Sequence, residues 1–229
     1  MGGQAARNLW SVGEQRAASG KDPRGSRTRR RVIEATLAVV RERPLAEVQL
    51  RHIAERAGIS PGHVLYHFTS KDRILVEALT WSEDALASRR ARELGELDGP
   101  SERIARWVAL FLPQDAQDPT WKLWLEFWLR SDMEDQLRQA PGDTGRAWLH
   151  DLVQIVEDGI EGGVFAEVDR AAFAARTHGL LVGLSIGVLA GWHSLDEARR
   201  IALGAIGTDL ACALAGPAED DDASARSRP

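Results

Sequence analysis

Residues 49–73 of this 229-residue chain concentrate the side chains best suited to specific hydrogen bonding. The segment holds arginine, lysine, histidine, serine and tyrosine groups, which bond to phosphate oxygens and to the edges of bases. His63 and His67 lie four residues apart with Tyr66 beside them, so all three could be reached from one side of a short helix. The chemistry they indicate is recognition of the DNA major groove, not the making or breaking of bonds.

Two short predicted helices joined by a tight turn position these groups. The apolar face of the first helix comprises Ile53, Ala54 and Ala57. Gly58 can take the positive φ that is needed just past a helix end. Ser60 is the predicted N-cap of the second helix, and Pro61 is its first residue, where a missing N–H costs nothing. The pair is too small to fold alone, so a preceding helix over residues 26–42 is expected to complete its core.

Charge is divided unevenly along the chain. Residues 1–73 hold 14 Lys and Arg against 7 Asp and Glu, whereas residues 74–229 hold 15 against 27. The two parts therefore carry +7 and −12, which together give the overall −5. A basic end on an acidic body suits an N-terminal domain that neutralises phosphates and a larger domain that does not touch nucleic acid.

The segment 49–73 resembles the DNA-binding domain of the TetR family of bacterial transcriptional regulators. The residues that match the family pattern are Ile53, Ala54, Ala57, Gly58, Ile59, Ser60, Gly62, Val64, His67, Phe68, Ser70, Lys71 and Asp72. The resemblance implies a helix-turn-helix domain whose second helix enters the major groove. The residues we expect to contact DNA are Arg27, Arg29, Gln49, Arg51, Ser60, Pro61, Gly62, His63, Tyr66, His67 and Lys71.

Within this set we assign contacts with the DNA backbone to Arg51, Tyr66 and Lys71, and sequence reading to His63 and Ser60. The histidine pair at i and i+4 could also form half of a metal site. No third ligand of the usual kind lies nearby in the sequence, so no metal is predicted.

Three positions depart from the family pattern. Gln49 stands where the family has Thr, so the helix cap is lost or remade. Pro44 replaces a usual Gly and cannot take positive φ. Tyr66 lies one place after the commonest tyrosine position, which moves its hydroxyl about 100° around the helix.

Apolar residues recur at helical spacing nearly throughout the chain, and no stretch alternates as a strand does. The sequence predicts an all-α protein of about nine helices, with an N-terminal three-helix helix-turn-helix domain and a larger helical ligand-binding and dimerisation domain. The predicted divisions are a flexible arm at 1–25, the DNA-binding domain at 26–70, the larger domain at 71–215 and a disordered tail at 216–229. Predicted helices of the larger domain cover 70–92, a segment capped by Ser101, 118–139, 143–161, 169–192 and 196–215.

Cellular location follows from two features of composition. Cys212 is the single cysteine, so neither an intramolecular disulfide nor a cysteine-based zinc site is expected. Residues 1–25 lack the apolar run of a signal peptide. We therefore expect a cytoplasmic protein without a cofactor.

The run 179–192 carries no charge, but it is shorter than the roughly 20 residues that a bilayer requires, so it is predicted to be a buried helix. Glycines every four residues would leave one of its faces without side chains. Similarity to the betaine-repressor-like branch of the family, at 121–138 and 157–169, implies a homodimer built by the last two helices of each subunit. The predicted interface residues are Gly179, Gly183, Gly187, Gly191, Ile201, Ala205 and Leu210. The alternative is that both helices are buried only within the monomer.

The eight tryptophans are many for a chain of this length. Candidate ligand-binding residues are Trp81, Trp107, Phe111, Trp124, Glu126, Trp128 and His178. An aromatic cavity with an acidic group would suit a cation. A filled core is the alternative, because aromatic residues also dominate ordinary cores, and no ligand class follows from these residues alone.

The resemblance implies a ligand-responsive homodimeric repressor that binds a palindromic operator and is released by a small-molecule effector. The expected partners are double-stranded DNA, a second copy of the chain and that effector, and no membrane. An all-α enzyme acting through Trp124, Glu126 and His178 stays open as an alternative, although the sequence contains no HExxH, GxSxG, Walker or Rossmann pattern. A helical module that binds another protein is the other alternative.

Overall fold

The structure, a computed structural model, describes the backbone of residues 23–129 and 135–214 and the side chains of residues 25–129 and 145–214. Within this part of the chain there are nine α-helices and no strand, which confirms the all-α prediction. The helices are α1 Pro23–Glu42, α2 Leu50–Ala57, α3 Pro61–His67, α4 Lys71–Gly95, α5 Pro100–Phe111, α6 Pro119–Leu129, α7 Asp135–Glu161, α8 Arg170–Leu189 and α9 Leu195–Asp209. A single 3-10 turn, Leu45–Glu47, joins α1 to α2. The predicted tail at 216–229, and the predicted arm up to residue 22, lie outside the described residues.

Four of the described helices, α3, α4, α8 and α9, begin with a side-chain cap. Ser60, Ser70, Asp169 and Ser194 each accept a hydrogen bond from the backbone N–H three residues ahead, at 3.0–3.2 Å. Such caps satisfy a backbone donor that the helix itself leaves unpaired. Ser101 does not have the predicted capping role, because α5 begins one residue earlier with proline at its first turn.

The buried apolar residues form two clusters. One cluster joins α1, α2, α3 and the first half of α4, and it also includes Leu123 of α6, whose exposed fraction is 0%. The other cluster joins α5, α7, α8 and α9 with Trp121 of α6 and the end of α4. α4 and α6 therefore pack against both clusters, so they link the two parts of the molecule.

Several helix boundaries differ from the sequence prediction. The helix predicted over 118–139 corresponds to α6, which is described as far as Leu129, and α7 begins at Asp135, eight residues earlier than predicted. α9 extends to Asp209 and not to residue 215. α8 ends at Leu189 and does not reach residue 192, because Gly191 turns the chain with a φ of +74°. The N–H of Trp192 then bonds to the carbonyl of Gly187 at 2.8 Å. Gly191 consequently lies in a turn and not on the predicted helical stripe.

Two other residues predicted at a dimer interface have roles inside one chain. A Cβ on Gly187 would lie 2.6 Å from His193 Cδ2, so this glycine lets the turn after α8 fold back on the helix. Leu210 has an exposed fraction of 0%, and its carbonyl accepts a hydrogen bond from Ala166 N at 2.9 Å. The structure therefore moves Leu210 from the predicted interface to the monomer core.

Candidate functional site

The second helix of the predicted pair, α3, is short and begins at a fixed cap. Ser60 Oγ accepts from His63 N at 3.2 Å, and Pro61 occupies the first turn. Gly58, between α2 and α3, has the predicted left-handed conformation with φ +63°. Val64 faces the core, so the other side of α3 is left to solvent.

That outer side carries three rings in mutual contact. His63 and His67 stack with centroids 5.2 Å apart, and Tyr66 meets His67 edge-on at 5.2 Å. Tyr66 is 84% exposed. Partial burial, the neighbouring His63 and the charge of Arg29 lower the pKa of His67 below the ordinary histidine value. His67 is therefore predominantly neutral at pH 7, when one ring nitrogen donates and the other accepts.

Arg29 was expected to contact DNA, but its guanidinium instead makes contacts within the chain that hold α3 in place. It donates to the carbonyl of His67 at 2.6 Å, pairs with Glu77 of α4, and lies 4.5 Å from the centroid of the Phe68 ring. These three contacts hold the C-terminal end of α3 against α1 and α4. A DNA role for Arg29 would require the guanidinium to share these partners.

The start of α2 is capped in a way that the family pattern does not predict. The backbone N–H of Gln49, the N-cap residue, donates to His52 Nδ1 at 3.3 Å. This bond is the reciprocal half of a capping box: it satisfies the N–H of the cap residue, and not the helix N–H that bonds to a threonine side chain. Arg51 is exposed at the first turn of α2. Lys71 Nζ donates to the carbonyl of Val48 at 3.1 Å, which leaves two of its three ammonium hydrogens for another acceptor.

A cavity of about 960 Å³ lies beneath α4, between α5, α6, α7 and the start of α9. Its aromatic and histidine wall is formed by Trp81, Phe111, Trp121, Trp124, Trp128, Trp148 and His178. Adjacent rings of this wall have centroids 5.1–6.1 Å apart. Burial lowers the pKa of His178 below the ordinary histidine value, which favours the neutral form of this side chain.

Two carboxylates face this cavity. Glu83 is 6% exposed, and its Oε1 accepts from the Trp124 indole at 2.6 Å. Among the described residues its Oε2 has no hydrogen-bond partner. Burial raises the pKa of Glu83 above the usual glutamate value, and the charge of Asp118 adds to this effect. Hydrogen bonds from the Trp124 and Trp148 indoles and the charge of Arg90 oppose it. Asp118, also buried, caps α6 by accepting from Thr120 N at 2.9 Å.

Sequence reasoning located most of this wall but erred at two positions. Trp107 is fully buried, packs on Phe111 and Trp148, and does not line the cavity. Glu126 does not line it either, and the acidic residues that do are Glu83 and Asp118. A signal for Glu83 existed in the sequence, since it continues the inward spacing of Leu79 and Leu86 on α4.

Comparison with known proteins decides which family has this architecture. Residues 32–78 match the model of bacterial regulatory proteins of the tetR family, and residues 100–210 match that of the BetI-type transcriptional repressor C-terminal domain. A curated relative from Ectopseudomonas mendocina, the HTH-type transcriptional regulator BetI, is 30% identical over 184 residues, which cover 76% of this chain and 89% of the relative. The chain belongs to the TetR family.

Other TetR-family relatives agree with the match over different extents. HTH-type transcriptional regulator BetI 1 of Chromohalobacter salexigens is 32% identical over 127 residues, covering 53% of this chain and 61% of the relative. The match therefore spans less than two-thirds of that protein. A solved structure described as a transcriptional regulator from Saccharomonospora viridis in complex with choline is 30% identical, covers 81% of this chain and 98% of its own, and superposes with a TM-score of 0.75.

Membership in the TetR family bears on the alternative functions. The family and the relatives are transcriptional regulators and not enzymes, so the hypothesis of an enzyme that acts through the Trp-rich region is not supported. By length and composition alone α8 is apolar enough to cross a membrane, and 44% of its apolar window is buried within the described part of the protein. Among the described residues no cluster of histidine, cysteine and carboxylate groups is arranged to hold a metal ion.

Proposed function

We propose that the chain is a homodimeric transcriptional repressor in the cytoplasm that binds a palindromic operator and is released by an organic cation. One observation carries the proposal: α4 holds the buried Glu83 in the wall of an aromatic cavity and begins directly after the reading helix α3. A ligand that enters the cavity therefore touches the same rigid helix that supports the DNA-reading surface.

On DNA, the exposed side of α3 would lie in the major groove. His63 and Tyr66 project from it, with His63 reading base edges and Tyr66 contacting the backbone. Arg51 and Lys71 flank the helix and would bind phosphates. Gly62 has open space around its Cα, which would let the DNA backbone approach.

The effector is proposed to carry a positively charged ammonium group. Cations are attracted to the faces of aromatic rings by about 2 kcal/mol or more when desolvated, and tryptophan is the best partner. Glu83 would place a carboxylate with an unpaired oxygen beside Trp124. The likeness to the choline-bound regulator from Saccharomonospora viridis supports the same ligand class.

Dimerisation is proposed through the outer faces of α8 and α9. Gly179 and Gly183 are exposed, and a Cβ on either would meet no atom of the chain within 4 Å, so a partner helix could approach closely. Ala205 is exposed and Ile201 half-buried on α9. A twofold axis here would pair two reading helices for half-sites about 34–36 Å apart or multiples of that distance. Sedimentation velocity of the full chain tests the dimer.

Release is proposed to travel through α6 as well as α4. Trp124 lies in the cavity wall, whereas the adjacent Leu123 is fully buried in the cluster formed with α1–α4. Lys122 Nζ donates to the carbonyls of Val40 at 3.2 Å and Arg41 at 3.0 Å, at the C-terminal end of α1. A cation that shifts Trp124 would therefore move α6, which is hydrogen-bonded to the end of α1. The equilibrium between the DNA-binding and released conformations would then change by the ligand's preference for one of them.

An electrophoretic mobility shift on the DNA that flanks the gene tests the proposal. We expect a retarded complex with that duplex, none with a scrambled duplex of equal composition, and loss of the complex when choline is added. Choline should be recovered chemically unchanged, which separates a regulator from an enzyme. A protein that retards no duplex even in low-salt buffer would contradict the proposal.

A further inference from the structure

The cavity has a second charged region besides Glu83. Arginines from four different helices line it, namely Arg89, Arg106, Arg146 and Arg199. Arg146 has an interaction of its own within the chain, so we define the arginine region as Arg89, Arg106 and Arg199. The same space thus adjoins a buried carboxylate and aromatic rings in one region and guanidinium groups in another. A small organic cation accounts only for the first of these.

Among the described residues, Arg89, Arg106 and Arg199 hold more positive charge than their partners Glu93 and Asp196 neutralise. Glu93 alone receives both Arg89, at 2.8 Å from Nε to Oε1, and Arg106, at 2.7 Å from Nε to Oε2. Burial would raise the pKa of Glu93, but these two hydrogen bonds outweigh it and lower the pKa, so the carboxylate is ionised. One negative charge is therefore shared between two guanidinium groups.

Arg199 of α9 is still less satisfied. Its Nη1 lies 3.7 Å from Asp196, whose side chain is 80% exposed, so water screens this pair. Its Nε is buried and has no hydrogen-bond partner among the described residues. Arg199 also lines the cavity. Because a buried donor without a partner is costly, a small rotation of this side chain toward an acceptor on a ligand would be favoured.

The acidic region shows the matching deficiency of opposite sign. Glu83 is more than nine-tenths buried, and its Oε2 has no partner within the described part of the chain. Glu83 and Arg89 both line the cavity from α4, six residues apart, which corresponds to roughly 9 Å along the helix axis. At about 960 Å³ the cavity is also near the upper end of the roughly 300–1,000 Å³ typical of sites for drug-sized molecules.

We propose that the effector is bipolar, with an organic ammonium group against Glu83 and Trp124 and an anionic carboxylate or phosphate against Arg106 and Arg199. The proposal rests on the proposed cation-responsive function and names the second half of the ligand. An anion without a cation would be repelled by the buried Glu83. A cation without an anion would leave the arginine region unmatched.

Isothermal titration of the full chain with three probes that share a trimethylammonium group tests this directly. Choline carries no anion, phosphocholine adds a phosphate, and 4-(trimethylammonio)butyrate adds a carboxylate. We expect one or both bipolar probes to bind at least about tenfold more tightly than choline, and whichever is tighter identifies the anion. A tenfold ratio corresponds to about 1.4 kcal/mol.

Variants then assign the gain to the arginines. Arg199→Gln should remove most of the advantage of the bipolar probe while changing choline affinity less than about threefold. Arg106→Gln provides a second test if Arg199→Gln unfolds. Arg103→Gln is the matched control, because Arg103 lies on the same helix as Arg106, pairs with Asp158 at 2.6 Å and does not line the cavity.

Two results would overturn the inference while leaving the proposed function intact. The first is equal affinity for all three probes. The second is a bipolar advantage that survives both Arg199→Gln and Arg106→Gln. Failure of all three probes to bind would instead contradict the cation effector itself, so the two proposals fail in different ways.

Discussion

The proposed DNA-reading surface around α3 and the cavity differ in how their polar side chains are exposed and paired. Around α3 most polar side chains are exposed, and those that contribute to the fold bond to backbone atoms, as Ser60 before α3 and Lys71 at the start of α4 do. In the cavity, Glu83 is withdrawn from water and keeps an unpaired oxygen. When an exposed polar group is removed, water takes its place at little cost in free energy. Water does not replace a buried charge in this way. Substitutions in the cavity should therefore have the larger effects.

The largest effect is expected for Glu83→Gln. The amide keeps an acceptor for Trp124 but loses the charge that opposes a bound cation. Losing one partner of a buried charge pair costs about 2–5 kcal/mol, so choline affinity should fall by at least about 30-fold. Isothermal titration measures it, and Glu126→Gln, on α6 but outside the cavity, is the matched control. An unchanged affinity for Glu83→Gln would remove the carboxylate from the site.

At the reading surface, His63→Ala is expected to relax sequence preference. Each good base contact contributes about 1–3 kcal/mol of discrimination. The variant should bind operator and altered half-sites with more similar affinity, while the thermal unfolding temperature stays near that of the wild type because His63 is exposed. Competition binding with single-base operator variants measures this. Unaltered preferences would show that the ring does not read bases.

The helix-turn-helix was predictable because local chemistry determines it. Gly58 adopts the positive φ, Ser60 forms the cap and Pro61 begins α3, and each of these depends on residues within a few positions. The cavity was harder to predict. Glu83 becomes buried only because α6 and α7 pack against α4, a contact between distant parts of the sequence.

Contacts between distant parts of the sequence also explain why two residues of the C-terminal helices were predicted in the wrong place. Helical spacing and the family resemblance placed Gly187 and Leu210 at a dimer interface. The structure shows one contacting the turn after α8 and the other buried in the monomer core. Spacing along one helix indicates which residues share a face, but it does not identify the element that covers that face.

The connection between the two regions should respond to Lys122→Met. This change keeps a long apolar side chain but removes the hydrogen bonds to the end of α1. Effects along such connections are typically about 0.5–2 kcal/mol, so choline should weaken operator binding less than in the wild type by roughly 2–30-fold. The measurement is operator affinity with and without saturating choline. If that ratio is unchanged, α6 does not transmit the signal.

A smaller and non-specific effect is expected for Lys71→Ala. Removing one phosphate contact should weaken binding to operator and random DNA alike and reduce the slope of log affinity against log salt by about 1. Lys71→Arg, which keeps the charge, serves as control. Thermal unfolding must accompany it, because the ammonium also bonds to Val48. Equal slopes for wild type and variant would argue against the phosphate contact.

The smallest effect is a pH-dependent difference in stability without ligand. The folded-state pKa of Glu83 is raised by burial, so the protonated form is favoured in the native state. The stability this contributes is fully present below the ordinary glutamate pKa of about 4.5 and is lost as the pH rises through the raised value. Glu83→Gln should therefore melt above the wild type by a margin that grows with pH. A margin independent of pH would mean that ionisation of Glu83 does not burden the fold.

Operator release in Glu83→Gln tests most directly whether the cavity controls the reading surface. Fluorescence anisotropy of a labelled operator would be followed as choline is added to wild type, Glu83→Gln and Glu126→Gln. We expect all three proteins to bind the operator equally without choline, and only wild type and Glu126→Gln to release it over the same concentration range. Release of the operator by Glu83→Gln at the choline concentration that releases the wild type would contradict control of DNA binding by the cavity.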